Sequence, residues 1–301
     1  MNRNQSLAPT IRRLGLLALV FALQTVASAE VTLTHVHGLS FSADGKQLYV
    51  PSHVGLAVYS GGHWSNAAGP QHDYMGFAAT KNGFYSSGHP AAGSNLVNPF
   101  GLMKSTDGGK TWTRLGLQGE ADFHLLATSH DTSAVYVYNA APNSRMSQPG
   151  LYSTLNDGLA WKHAEARGPE GPPVALAVHP TKPATVAVGT KSGLFLSEDG
   201  GNSFRPLGER RQVVGVFFDL DGKELWYSSF AGQASLTRLD WSTSKNAEVK
   251  LPPLTQDAVA YIAQNPVDRS EYAIATFERS VYLSNDAGKT WRRIADHGRG
   301  S

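Results

Sequence analysis

From residue 37 onward the chain consists of short apolar runs separated by Gly, Asn, Asp, Pro and Ser, a pattern that reads as buried strands punctuated by turns. The runs come in pairs. HGLSFS (37–42) is followed by LYVPS (48–52), FHLLATS (123–129) by VYVYN (135–139), VALAVHP (174–180) by TVAVGT (185–190), VGVFFDL (214–220) by LWYSS (225–229), and AYIAQNP (260–266) by YAIATF (272–277). YMGFAAT (74–80) opens one further unit. Starts near residues 37, 75, 124, 174, 214 and 260 define six units of the size expected for a four-stranded blade.

A second periodicity lies inside the first. LMKSTDGGKTWTRL (102–115) returns as LFLSEDGGNSFRPL (194–207) and VYLSNDAGKTWRRI (281–294), with a weaker copy in LYSTLNDGLAWKHA (151–164). Aligned, these place Ser105, Thr154, Ser197 and Ser284 two residues before Asp107, Asn156, Asp199 and Asp286. Gly109, Gly158, Gly201 and Gly288 follow, then an aromatic at Trp112, Trp161, Phe204 and Trp291. The spacing suits a side-chain-stabilised turn: Asp or Asn bonds its own backbone, Gly supplies positive φ, and the aromatic returns to the core. It resembles the Asp-box, or BNR repeat, of sialidase-type β-propellers. Repeats of this length favour radial repetition over a β-sandwich, so the expected fold is all-β: a six-bladed β-propeller with Asp-box turns, spanning residues 30–301 with almost no helix.

In a propeller the first strand of each blade lines the central channel, and its start shares a face with the loop between the second and third strands. This rule sends His35 and His37 to the start of blade one and His53 to its loop, and His72 and Asp73 to the start of blade two with His89 in its loop. Glu120, Asp122 and His124 fall at the start of blade three, and Asn143, Ser144, Arg145 and Met146 in its loop. Six of the eleven histidines thus gather on one face of three consecutive blades. His35 and His37 share a strand face because side chains alternate.

Three chemistries suit that face. Imidazoles beside carboxylates are ligands for zinc or copper, with His35, His37, His72, His124, His53 and His89 as the set and Met75 or Met146 as a soft thioether. Paired carboxylates suit glycoside cleavage, with Glu120, Asp122 and Asp73 as acid and base candidates. The resemblance to sialidases adds Tyr74 as a nucleophile, although THVHGL stands where that family carries an arginine segment. Asn143, Arg145 and Met146 are then ligand contacts. A third option is a protein-binding module, as other Asp-box propellers are assembly factors and sorting receptors; the long loop SGHPAAGSNLVNPFG (87–101) is a partner or lid element, or a packed loop held through Pro99 and Phe100. The combination of HVHGL, HDYMGF, SGHP, GEADFH and NSRMSQPGLY is similar to a group of exported bacterial Asp-box propellers labelled glycosyl hydrolase-like.

The first 29 residues change the picture of charge and location. Arg3, Arg12 and Arg13 precede LGLLALVFALQTVA and the small residues Ala27-Ser28-Ala29, the layout of a secretory signal cut after Ala29. Its removal takes away three basic residues and no acidic one, so the remainder carries a formal charge of −1. The expected protein is periplasmic or extracellular, with no later membrane span. No basic cluster exceeds a pair such as Arg210-Arg211, which argues against nucleic acid as a partner. No phosphate-binding motif points to a nucleotide cofactor. The absence of cysteine excludes thiol chemistry and leaves histidine and carboxylate as metal ligands.

Overall fold

The structure, a computed structural model, describes Met1 and residues 31–300; apart from Met1, the expected signal segment, 1–29, lies outside the described residues. Every regular element among them is a strand. The strands form six antiparallel sheets in chain order, spanning 40–66, 73–116, 126–163, 175–207, 213–248 and 259–300. The first strands touch one another in a closed circle, blade six returning to blade one, which makes the fold the expected six-bladed propeller. No helix of the described residues is long and apolar enough to cross a membrane.

The strand pattern predicts the packing. Short strands buried on both faces place apolar side chains between blades, and the core accordingly divides into six clusters, each at one blade–blade boundary. Between blades one and two, for example, Tyr49, Leu56 and Val58 meet Phe77, Phe84 and Phe100.

The Asp-boxes turn the third strand into the fourth by the same hydrogen bonds each time. Ser105 Oγ donates to Asp107 Oδ1 (2.9 Å) and accepts the Gly109 N–H (2.9 Å), while Asp107 accepts the Thr111 N–H (3.0 Å) and hydroxyl (2.6 Å). Ser197 with Asp199 and Ser284 with Asp286 repeat the set. In blade three Asn156 accepts the Ala160 N–H at 2.9 Å, with no hydroxyl at position 160. In each box the Ser or Thr and the Asp or Asn two residues on are occupied in holding the turn.

Residues 31–33 and 298–300 meet to close the ring. Blade six carries a fifth strand, Arg299–Gly300, and Thr32 pairs antiparallel with Arg299. The Leu33 N–H donates to Gly298 O (2.7 Å), and across the same boundary the Trp64 indole donates to Ile294 O (2.6 Å). Val31 and Leu33 join a core cluster shared by blades six and one, so burial reinforces the closure.

The hydrogen bonds within the boxes, led by the Thr111 hydroxyl at Asp107 and the Thr290 hydroxyl at Asp286, hold both carboxyls at about 2, below the ordinary 3.8; Asp199 moves the same way. Depressed carboxylates contribute stability that is complete above the ordinary value and lost as pH falls through the folded one. Replacing all three by Asn, which keeps the acceptor as Asn156 does, is expected to flatten the loss of Tm between pH 4 and 2; an acid limb as steep as that of the parent protein contradicts this assignment.

Candidate functional site

Each blade is a simple meander, so the start of its first strand and its second-to-third loop lie at one end, and the Asp-box turns at the other. Two glycines let the starts of blades one, two and three draw together. The His37 N–H donates to Pro51 O (3.1 Å) and His37 O accepts the Phe77 N–H (3.4 Å), tying blade one to blade two. A Cβ on Gly38 would lie 2.8 Å from both Cβ and O of Phe77, so only glycine permits this approach. At Gly76 φ is +49°, and a Cβ there would lie 1.9 Å from Phe123 O, the corresponding joint between blades two and three. The ladder of blade two shifts register at this point, which re-aims the residues before it.

What these joints bring together is a pair of ligand clusters. His35, His37 and His53 have ring centroids 5.4, 5.0 and 4.6 Å apart, and one ring nitrogen from each lies within 4.8 Å of the others. His53 Nδ1 bonds Asp73 Oδ2 at 2.8 Å; with the proton on Nδ1, Nε2 is left as a lone-pair donor. His89, Asp122 and His124 form the second cluster, Asp122 Oδ2 lying 2.6 Å from His124 Nε2 and 3.0 Å from His89 Nε2. The other ring nitrogen of His89 meets Asn98 Oδ1 at 2.7 Å.

The electrostatics of the two clusters differ. Burial, reinforced by the neighbouring His53 and outweighing the attraction of Asp73, lowers His37 to about 4, so at neutral pH it is an uncharged imidazole. His124 moves the other way because it bonds the Asp122 carboxylate. Burial alone would raise Asp122, and its bonds to His124 and His89 outweigh that, leaving it below the ordinary carboxylate value. Asp73 joins the clusters: it bonds His53 of the first, and its charge acts on His37 and on His124 of the second. Three atoms here, His37 Nε2, Asp73 Oδ1 and Asp122 Oδ1, are buried without a hydrogen-bond partner, each at a cost of about 1–3 kcal/mol in a site that offers them nothing.

The remaining sequence candidates are occupied elsewhere. His72 lies outside both clusters: it packs against Phe100 and its Nδ1 accepts the Ala91 N–H (3.1 Å), so it fixes the 89–101 loop. Tyr74 is fully buried between blades one and two, its hydroxyl donates to Pro70 O (2.7 Å), and burial raises it far above the ordinary phenol value, which removes it as a nucleophile. Glu120 is exposed and accepts the N–H and hydroxyl of Ser144 (2.7 and 3.0 Å). Asn143 caps Arg145 and Met146 through its side-chain oxygen, and Arg145 reaches back to Gly158 and Leu159 of its own Asp-box. Met146 is core and Met75 is buried. The long loop is packed only at its end, with Phe100 buried and the Phe100 N–H donating to Gly88 O, while residues 92–98 are exposed.

Two features escaped the sequence reading. Asn98, the partner of His89, sits in that loop with no motif to mark it. Below the clusters runs an axial cavity of about 580 Å³, reached by His37, Asp122 and His124 and lined mainly by apolar residues from the first strands of all six blades. Its signal was present in the unbroken apolar runs of those strands, which cannot all be buried against other blades.

Residues 103–114 match the family model of the BNR/Asp-box repeat. No curated protein gives a significant match to the chain. Among solved structures the chain is similar to a GH74 enzyme of Niastella koreensis (TM-score 0.61, 17% identity, 88% of this chain and 46% of that one). It is likewise similar to a GH74 xyloglucanase of Xanthomonas campestris (TM-score 0.57, 16% identity, 88% and 46%). YCF48 bound to a D1 peptide aligns over 90% of this chain and 85% of its own (TM-score 0.52, 17% identity). The chain thus spans under half the length of the two GH74 proteins, and at these identities the likeness is one of fold.

The contrast between His37 and His124 is measurable by imidazole NMR in metal-free protein. His37 is expected to stay neutral until pH approaches 4, and Asp122→Asn to bring His124 down toward 6.5 while leaving His37 in place. An unmoved His124 would show that Asp122 does not hold its proton.

Proposed function

We propose that this protein is exported and that its propeller binds a divalent ion, copper or zinc, through His35, His37 and His53. The observation that carries the reading is the convergence of three imidazoles in which His37 is neutral and its Nε2 is buried without a partner. Metal ligation requires an unprotonated ring nitrogen, and a three-histidine set with an open fourth position suits zinc or copper. Asp73 fits the supporting role, since a carboxylate on the far nitrogen of a ligating histidine orients the ring and raises its basicity. The second cluster is less ready, because both histidines direct the same nitrogen at Asp122 and must exchange protons for metal.

Glycoside cleavage is the second reading, favoured by the free oxygens of Asp73 and Asp122 at one mouth. Among the described residues it lacks a carboxylic-acid proton donor at that mouth: Glu120 is tied to Ser144, and Asp122 is held below the ordinary carboxylate value. Among the described residues the carboxyl pushed up to about 7, chiefly by burial, is Asp219, in the first turn of blade five at the opposite end.

Titration of metal-free protein with zinc and with copper is expected to give near-stoichiometric binding. His37→Ala/His53→Ala should abolish it, Asp73→Asn should weaken it about 10–100-fold, and Glu120→Gln should leave it unchanged. Binding that survives the double substitution, with the fold intact by circular dichroism, rules out this site. Sugar hydrolysis that survives the double substitution and disappears with Asp122→Asn establishes the second reading.

A further inference from the structure

The mouth of the axial cavity has two unlike halves. Blades one and three contribute His37, Asp122 and His124, whereas Val174 before blade four, Val214 of blade five and Phe277 in the loop of blade six line the other side. Val174 and Phe277 are 43% and 56% exposed, a large apolar area to leave in water at the edge of a cavity. Val54, Leu96 and Val97 stand exposed on the loops of blades one and two at the same end. Deeper in, Phe41, Leu176, Val216, Ala260 and Tyr261 keep the lining apolar. A volume of about 580 Å³ falls in the range of small-molecule sites, where an apolar wall supplies affinity and a few polar groups fix orientation.

We propose that this cavity binds a small organic acid, with its alkyl or aryl body in the channel and its carboxylate at the histidine mouth. The choice of an acid rests on the metal reading above: an ion held by neutral imidazoles keeps its positive charge, while Asp73 and Asp122 are already paired with histidines. The apolar body rests on the cavity alone. Depth and the unlike halves of the mouth select a molecule that is apolar at one end and anionic at the other; the many hydroxyls of a sugar would outnumber the polar side chains of a mainly apolar lining, Ser40, Thr128, His130 and Gln264 among them.

The test is calorimetry of zinc-loaded protein with hexanoate, octanoate and decanoate, and with octylamine as the cationic control. Affinity is expected to tighten up to about fourfold per methylene, the value for a fully buried CH₂. Octanoate should bind at least tenfold more tightly than octylamine. Ala260→Phe, which fills the channel from blade six, a blade that supplies none of the proposed metal ligands, should abolish the chain-length dependence while zinc binding persists; the smaller Ala260→Leu should reduce it. A flat series in the parent protein, or an unchanged one in a folded Ala260→Phe, overturns the cavity site. Octylamine matching octanoate overturns the anionic head. Failure of the parent protein to take up zinc, with the chain-length dependence retained, overturns the metal reading and upholds the apolar site.

Discussion

The close approach of the inner strands at Gly38 and Gly76 is the constraint from which the site follows. Six sheets converging on one axis leave little room where their first strands begin, and at these two joints a Cβ would strike the next blade's backbone. The approach sets His37, Asp73, Asp122 and His124 around one mouth and withdraws part of each from water. Burial of a lone imidazole nitrogen and two carboxylate oxygens without partners is unfavourable, and it makes these atoms ready to accept a ligand that supplies the missing contacts.

The repeats build the ring, and the departures from repetition build the site. Asp-boxes in blades two, three, four and six use their Ser/Thr and Asp/Asn pair on their own turns, and Asp157 of the blade-three box ties it to Tyr85 and Lys104 of blade two, so the feature with the strongest family signal is structural and lies at the end opposite the site. At the starts of the first strands the blades differ: HVHG, HDYMG and EADFH in blades one to three, against PPVAL, QVVGV and DAVAY in blades four to six. Even Asp257 in the last of these is spent on backbone, accepting the N–H groups of Ala258 and Glu278. That division gives the mouth its polar and apolar halves.

The fold was legible in the sequence because each blade repeats a local pattern that physical chemistry ties to strands and turns. The site was legible in part. Position in the repeat placed His35, His37, His53, His89 and His124 at one end, and the structure draws these five, with Asp122, into two clusters. His72 obeys the same rule yet serves the loop, because an aromatic partner at Phe100 and the Ala91 N–H compete for it. Tyr74 illustrates the alternation of a strand: one step from Asp73, it points into the blade boundary. Glu120, Asn143 and Arg145 look like site residues in a linear reading, but their hydrogen bonds hold the 143–146 loop and tie it to the entry of its blade and to the Asp-box turn, a choice settled by neighbours that sequence spacing does not reveal. Ring closure through Thr32 and Arg299 depends on two distant segments meeting, and no local pattern announces it.

The proposed site for a divalent ion in a cysteine-free chain draws on imidazole and carboxylate, and the three imidazoles outnumber the carboxylates within bonding range of one point. X-ray absorption at the zinc edge of the loaded protein counts those ligands directly. The account predicts a first shell dominated by nitrogen at about 2.0–2.1 Å with the outer-shell scattering of three imidazole rings, falling to fewer rings in His53→Ala. A shell of oxygen ligands alone, or an imidazole count unchanged by that substitution, would contradict it.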